Sequence, residues 1–210
     1  MIRNLLFDLG GVIMDIDRMN AVEALRDAGM PHPEELLGDY GQKGPFLALE
    51  RGEITPAEFH TQLRPYFTRP VTDDAIDDAF CHFLLGIPLE RLHALETLRR
   101  RGFRVCLLSN TNAVMWHRYI LPEFTKDGHD INHYFDGIIT SFEVKAYKPE
   151  PAIFHAAVDR LGIEPSETLF FDDSQANLDG AATLGFHTAL VTDEHPFMNQ
   201  IPTRPPLADE

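Results

Sequence analysis

Three apolar runs in this chain drive straight into polar residues that can do chemistry. Leu5-Leu6-Phe7 ends in Asp8, followed by Leu9, Gly10 and Gly11; Val105-Cys106-Leu107-Leu108 ends in Ser109-Asn110; Leu169-Phe170-Phe171 ends in Asp172-Asp173. A fourth group, Lys148, lies in the loop Lys145–Pro151. Two adjacent carboxylates after an apolar strand repel each other and are costly at a half-buried edge unless a cation sits there. The set therefore reads as a cation site with an ammonium beside it, suited to a negatively charged small molecule. Each member also has an ordinary reading: Asp8 as a turn residue beside glycines, Ser109 as a helix N-cap, Lys148 as a solvated loop lysine.

Groups so far apart in sequence meet only if a scaffold brings strand ends together. In a parallel sheet, the carboxyl ends of the strands share one edge, where ligands bind. The chain has the grammar for such a sheet. Strands are expected at Ile2–Phe7, Phe103–Leu108, Phe135–Ser141, Thr168–Phe171 and Thr188–Val191. Helices are expected between them: Pro88–Arg101, Ala113–Leu121 stopped before Pro122, Ala152–Leu161 closed by Gly162, and Asn177–Leu184. Alternating strands and helices predict an α/β fold with a doubly wound, Rossmann-like parallel sheet and right-handed crossovers.

Residues 17–89 differ in character. Ala21, Val22, Leu25 and Ala28 have helical spacing; Thr55-Pro56-Ala57-Glu58 is a capping box with proline in the first turn; Thr72 opens a further amphipathic helix. Strand signals are absent there, so the segment reads as a small all-helical cap inserted after the first strand. The expected division is 1–16 and 90–200 as the α/β core, 17–89 as the cap and 201–210 as a tail. The proline-rich chain after Asp193 is expected to be extended or partly disordered. Asp15 and Asp17 read as solvated turn residues, or as carboxylates at a pocket mouth above Asp8. Phe46, Glu50 and Arg51 read as pocket-lining cap residues, or equally as packing and helix-end residues.

With 44% hydrophobic and 24% charged residues the chain has the composition of a soluble globular protein. A net charge of −15 argues against nucleic acid and against anionic membrane as partners. No apolar run approaches the roughly 20 residues of a membrane-spanning helix, and the first strand begins too early for a signal peptide. Cys81 and Cys106 lie among apolar neighbours, which favours buried reduced thiols and a cytoplasmic location. A monomer or weak homodimer is expected.

Four signatures, in order, carry a resemblance: Phe7-Asp8-Leu9-Gly10-Gly11-Val12, Leu108-Ser109-Asn110-Thr111, Lys148-Pro149-Glu150-Pro151 and Phe171-Asp172-Asp173-Ser174-Gln175-Ala176-Asn177. Together they resemble the haloacid dehalogenase-like (HAD) hydrolase superfamily, over nearly the whole chain. Asp15-Ile16-Asp17, Arg51-Gly52-Glu53-Ile54 and Ser109-Asn110-Thr111-Asn112 are further similar to its bacterial sugar-phosphate phosphatases, the alpha-glucose-1-phosphate phosphatase type. The resemblance implies a Mg²⁺-dependent phosphomonoesterase acting on a small phosphorylated metabolite through an aspartyl-phosphate on Asp8. By the same resemblance Asp8, Asp173 and the Gly10 carbonyl hold magnesium, with Asp172 at or just behind the ion. Lys148 neutralises phosphate charge, Ser109 and the Asn110 amide bind a phosphoryl oxygen, and Asn177 orients the outer groups. One departure matters: where the family's phosphatases usually carry an acid–base aspartate two residues after the nucleophile, this chain has Gly10. Asp15, Asp17 or a group on the substrate could supply the proton instead. The alternatives are a metal-independent 2-haloacid dehalogenase and a catalytically weak phosphate-binding module.

Overall fold

The structure, a computed structural model, describes residues 1–38 and 41–202. In chain order its elements are β1 (Asn4–Phe7), β2 (Asp15–Ile16), α1 (Arg18–Ala28), β3 (Leu37–Gly38), β4 (Gly41–Gln42), α2 (Gly44–Glu50), α3 (Pro56–Leu63), α4 (Asp73–Cys81), β5 (Leu84–Gly86), α5 (Leu89–Arg100), β6 (Arg104–Ser109), α6 (Ala113–Met115), α7 (Leu121–Glu123), α8 (Ile131–Tyr134), β7 (Gly137–Thr140), α9 (Ser141–Val144), α10 (Pro151–Leu161), β8 (Thr168–Asp172), α11 (Gln175–Ala182) and β9 (His187–Leu190).

Period-two alternation builds the sheet. Leu5 and Phe7 of β1 enter one apolar layer while Leu6 enters the other, and Val105/Leu107 against Cys106/Leu108 repeat the pattern in β6. Both faces are covered, as an uninterrupted apolar run requires. The five strands run in the order β7-β6-β1-β8-β9, every pair parallel. This is the doubly wound α/β sheet expected. Because β1 is central and flanked by β6 and β8, the three polar strand ends are immediate neighbours. Phe7 pairs with Leu107 and with Phe171, which sets Asp8 level with Asp172 and one residue short of Ser109. The Phe7 and Phe171 rings stack at 4.8 Å directly beneath.

One layer is sealed by Ile153, Phe154 and Ala157 of α10 with Leu178 and Ala181 of α11. The other is sealed by Leu92, Leu95 and Leu98 of α5 and runs without a break into Val22, Leu25, Phe46, Phe59 and Phe80 of the inserted segment. Inside that insert the Thr55–Glu58 capping box forms in both directions, and Thr72 accepts from the Ala75 N–H.

Three expectations are corrected. The insert is not free of strands: β3 pairs with β4, and β5 returns antiparallel to β2 just outside the main sheet. Strands of two or three residues are too short to display a period, so the sequence carries no signal for them. The helix after Asn112 does not stop before Pro122. A π turn over Trp116–Ile120 joins α6 to α7 without a break, so the helix runs on through Pro122. The chain after Asp193 is also not simply extended, since Phe197 is buried edge-on against Phe7 at 5.1 Å. Residues 203–210 lie outside the described residues. Cys81 and Cys106 are buried free thiols, which burial pushes up to about 12 and about 11, so both are unreactive at neutral pH. Among the described residues no helix is long and apolar enough to cross a membrane.

Candidate active site

Asp8 leaves β1 at the centre of the sheet and is only 9% exposed. Its Oδ1 accepts from the Leu9 N–H at 2.7 Å and lies 2.8 Å from Lys148 Nζ. Lys148 is no solvated loop residue. It is 1% exposed, and its ammonium also donates to Asp172 Oδ2 at 2.7 Å. The loop that carries it is pinned by Asn110, whose side chain accepts from the Lys148 N–H at 2.9 Å and donates to the Lys148 carbonyl at 3.1 Å. The side-chain amide of Asn110 is thereby committed to positioning the lysine.

Asp172 is fully buried. Its second oxygen accepts from the Ser174 N–H at 2.8 Å and from Asn177 Nδ2 at 3.0 Å, so both oxygens are taken. Asp173, one residue on, points the other way and lines the cavity. Carboxylate oxygens of Asp8, Asp172 and Asp173 lie within 4.8 Å of one another. Gly11 makes room for this: its φ is +71°, and a Cβ there would fall 2.3 Å from Asp173 Oδ2. Three carboxylates against one ammonium leave an excess of negative charge, two of them buried and Asp173 exposed. Burial pushes Asp8 up to about 8; Lys148 pulls against that, and Asp172 and Asp173 add to it. For Lys148, burial alone would lower the value, but Asp172 and Asp8 hold it above the ordinary lysine range. Hard oxygen donors in charge excess suit a divalent cation such as Mg²⁺.

Asp8, Gly10, Ser109, Asn110 and Asp173 open onto one cavity of about 170 Å³. Of the residues anticipated there, Lys148, Asp172 and Asn177 stand behind its floor, while Asp15 and Asp17 do not line it. Asp15 is paired with Arg91 at 2.7 Å, and Asp17 caps α1 by accepting from the Met19 N–H at 2.8 Å. The roof comes from the insert: Gln42 and Glu50, with Phe83 and Leu84 beside them. Tyr147, adjacent to Lys148, completes the wall. Gln42 and Tyr147 carry no motif signal; Tyr147 could have been suspected only from its place beside the lysine.

The chain is similar in sequence and fold to known proteins. Residues 2–185 match the family model of the haloacid dehalogenase-like hydrolases. A D-ribitol-5-phosphate phosphatase of Bacteroides thetaiotaomicron is 37% identical over 188 residues, covering 90% of this chain and 91% of that protein. The crystal structure of the HAD family enzyme BT-2542 from the same organism, in complex with magnesium and inorganic phosphate, superposes with a TM-score of 0.85 at 39% identity, covering 91% of this chain and 95% of that one. A HAD-like family hydrolase from Porphyromonas gingivalis gives a TM-score of 0.83 at 37% identity, covering 90% and 91%.

Proposed function

The chain belongs to the haloacid dehalogenase-like hydrolases, and from that we propose that it is a magnesium-dependent phosphatase for a small sugar or polyol phosphate, with Asp8 as the phosphoryl acceptor. The observation that carries this is the gathering of three carboxylates within 4.8 Å of one another, Asp173 exposed to the cavity, with the buried Lys148 2.8 Å from Asp8 and 2.7 Å from Asp172. The ester named for the ribitol phosphate relative gives the substrate class.

Asp8, Asp173 and the Gly10 carbonyl would hold the ion. Asp172, both oxygens engaged, serves from behind by fixing Lys148 and the turn at Ser174. The bound ion cancels like-charge repulsion between carboxylate and phosphate and polarises the phosphoryl group. The protein does the rest. Lys148 and the Leu9 N–H hold Asp8 Oδ1, which fixes the direction of in-line attack. Ser109, buried at the end of β6, and the main-chain amide of Asn110 donate to a phosphoryl oxygen, the Asn110 side chain being occupied with Lys148. The aspartyl-phosphate then forms on Asp8 and is hydrolysed. Residues 17–89 act as the cap that closes the cavity over the ester.

Two tests follow here. Chelation of magnesium brings turnover of phosphate esters to background and added Mg²⁺ restores it; phosphate-ester turnover that survives chelation would contradict the magnesium requirement and leave the acidic cluster without a role. Gly11→Ala places a methyl 2.3 Å from Asp173 Oδ2 and 2.7 Å from its Cγ, so the carboxylate must shift. It is expected to raise the magnesium concentration for half-maximal rate by roughly 10–100-fold, the usual cost of displacing a ligand's support. An unchanged magnesium dependence would remove Asp173 from the ion.

A further inference from the structure

An alcohol leaving as its alkoxide needs a proton, and Gly10 cannot give one. The two aspartates closest in sequence are unsuited, since Asp15 is paired with Arg91 and Asp17 caps α1, both off the cavity. One carboxyl other than Asp8 and Asp173 does line it: Glu50, the last residue of α2, 7% exposed. Among the described residues no lysine, arginine or histidine pairs with it, unlike its neighbour Arg51, which is bonded to Glu150.

The main chain around Glu50 is fastened to the sheet edge from three sides. Ser141 Oγ donates to the Glu50 carbonyl at 2.6 Å while accepting from the Thr111 N–H at 3.0 Å, so α2 is tied to the loop following β6. The Arg51 guanidinium sits 5.5 Å over the Tyr147 ring. Gly52, at φ +63°, packs so closely on Phe142 that a Cβ would lie 2.0 Å from its carbonyl oxygen. The Glu50 carboxyl meets no basic group, only the Tyr147 hydroxyl, and a buried carboxyl held at the cavity in this way is an arrangement that mere packing does not require. Burial pushes Glu50 up to about 8 against the opposing contact with Tyr147, so its acid form prevails at neutral pH.

We propose that Glu50 is the general acid–base of this enzyme, supplied by the cap in place of a side chain at position 10. The proposal rests on the phosphatase reading above. In the first step Asp8 forms its bond to phosphorus and the phosphorus–ester oxygen bond breaks. The electron pair goes to the leaving oxygen, which takes the proton from the Glu50 carboxyl and departs as the alcohol. In the second step water attacks the phosphorus of the aspartyl-phosphate, the Glu50 carboxylate takes the proton from water, and the phosphorus–Asp8 bond breaks to give inorganic phosphate. The substrate class that benefits is the alkyl phosphate, whose leaving group cannot depart unprotonated.

The test compares Glu50→Gln with wild type on D-ribitol 5-phosphate and on p-nitrophenyl phosphate, with magnesium saturating. Glu50→Gln is expected to lose about 10²–10⁴-fold in kcat/KM on the alkyl ester. On the aryl ester, whose leaving group needs no proton, kcat/KM holds, but kcat falls and a burst of nitrophenol precedes the slow steady state. Glu50→Asp, retaining the acid at shorter reach, gives an intermediate loss on the alkyl ester and serves if the glutamine variant does not fold. Equal losses of kcat/KM on both esters, or no loss on either, would overturn the role of Glu50. Failure of the phosphatase reading looks different: wild type then hydrolyses neither ester.

Discussion

Asp8→Asn is expected to abolish turnover of phosphate esters, by at least ~10⁴-fold, as removal of a covalent nucleophile does. The folded protein should not suffer. Asp8 is one of three carboxylates gathered within 4.8 Å of one another, with a single buried ammonium beside it. The amide removes a charge from a cluster with too many of one sign and leaves Lys148 its 2.7 Å partner, Asp172. Thermal melting without metal should therefore be unchanged or raised, while rate measurements fall to background. A melting point that drops together with the rate would mean that Asp8 is a structural member of the sheet edge.

Lys148→Met is expected to act on stability and rate together. The lysine is 1% exposed, and its removal strands Asp8 and Asp172 without a counter-charge in the middle of the protein. Breaking a buried pair from one side costs about 3–5 kcal/mol. For a chain of this size each kcal/mol moves the melting temperature by about 2–4 °C, so a fall on the order of 10 °C is expected. Loss of a preorganised cation beside the phosphoryl group should cost at least ~10²-fold in kcat. Lys148→Arg should not rescue fully, because a planar fork does not fit a site built for a compact ammonium between two carboxylates. A Lys148→Met protein as stable as wild type would show that the ion pairs contribute nothing to the fold.

Much of this was legible in the residues, for reasons that can be stated one at a time. Asp8, Ser109 and the Asp172-Asp173 pair announce themselves because each closes an apolar run, and a strand end in a parallel sheet has only one place to go. That Asp172 turns inward to Lys148 while Asp173 faces the cavity is not visible from two identical letters. Asp172 is the last residue of β8 and Asp173 stands in the bend just beyond it, so the two side chains part where the strand ends. Glu50 could be seen only as a residue at a helix end. Its burial comes from the docking of α2 on Ser141 and Phe142, about ninety residues further along the chain. The antiparallel pair β2–β5 was invisible because it is too short to have a period, and the passage of the helix through Pro122 because a π turn has no sequence rule. Gly10, by contrast, was legible as a departure, and it is the departure that directs attention to the cap for a proton donor.

Phosphoryl transfer to Asp8 itself is open to direct measurement. Wild-type protein with magnesium and a ³²P-labelled ester, quenched in acid within one turnover, is predicted to carry label on the peptide containing Asp8, released by hydroxylamine as an acyl phosphate is and absent from Asp8→Asn. Turnover that proceeds at full rate with no labelled protein at any quench time, or label that persists in Asp8→Asn, would contradict it.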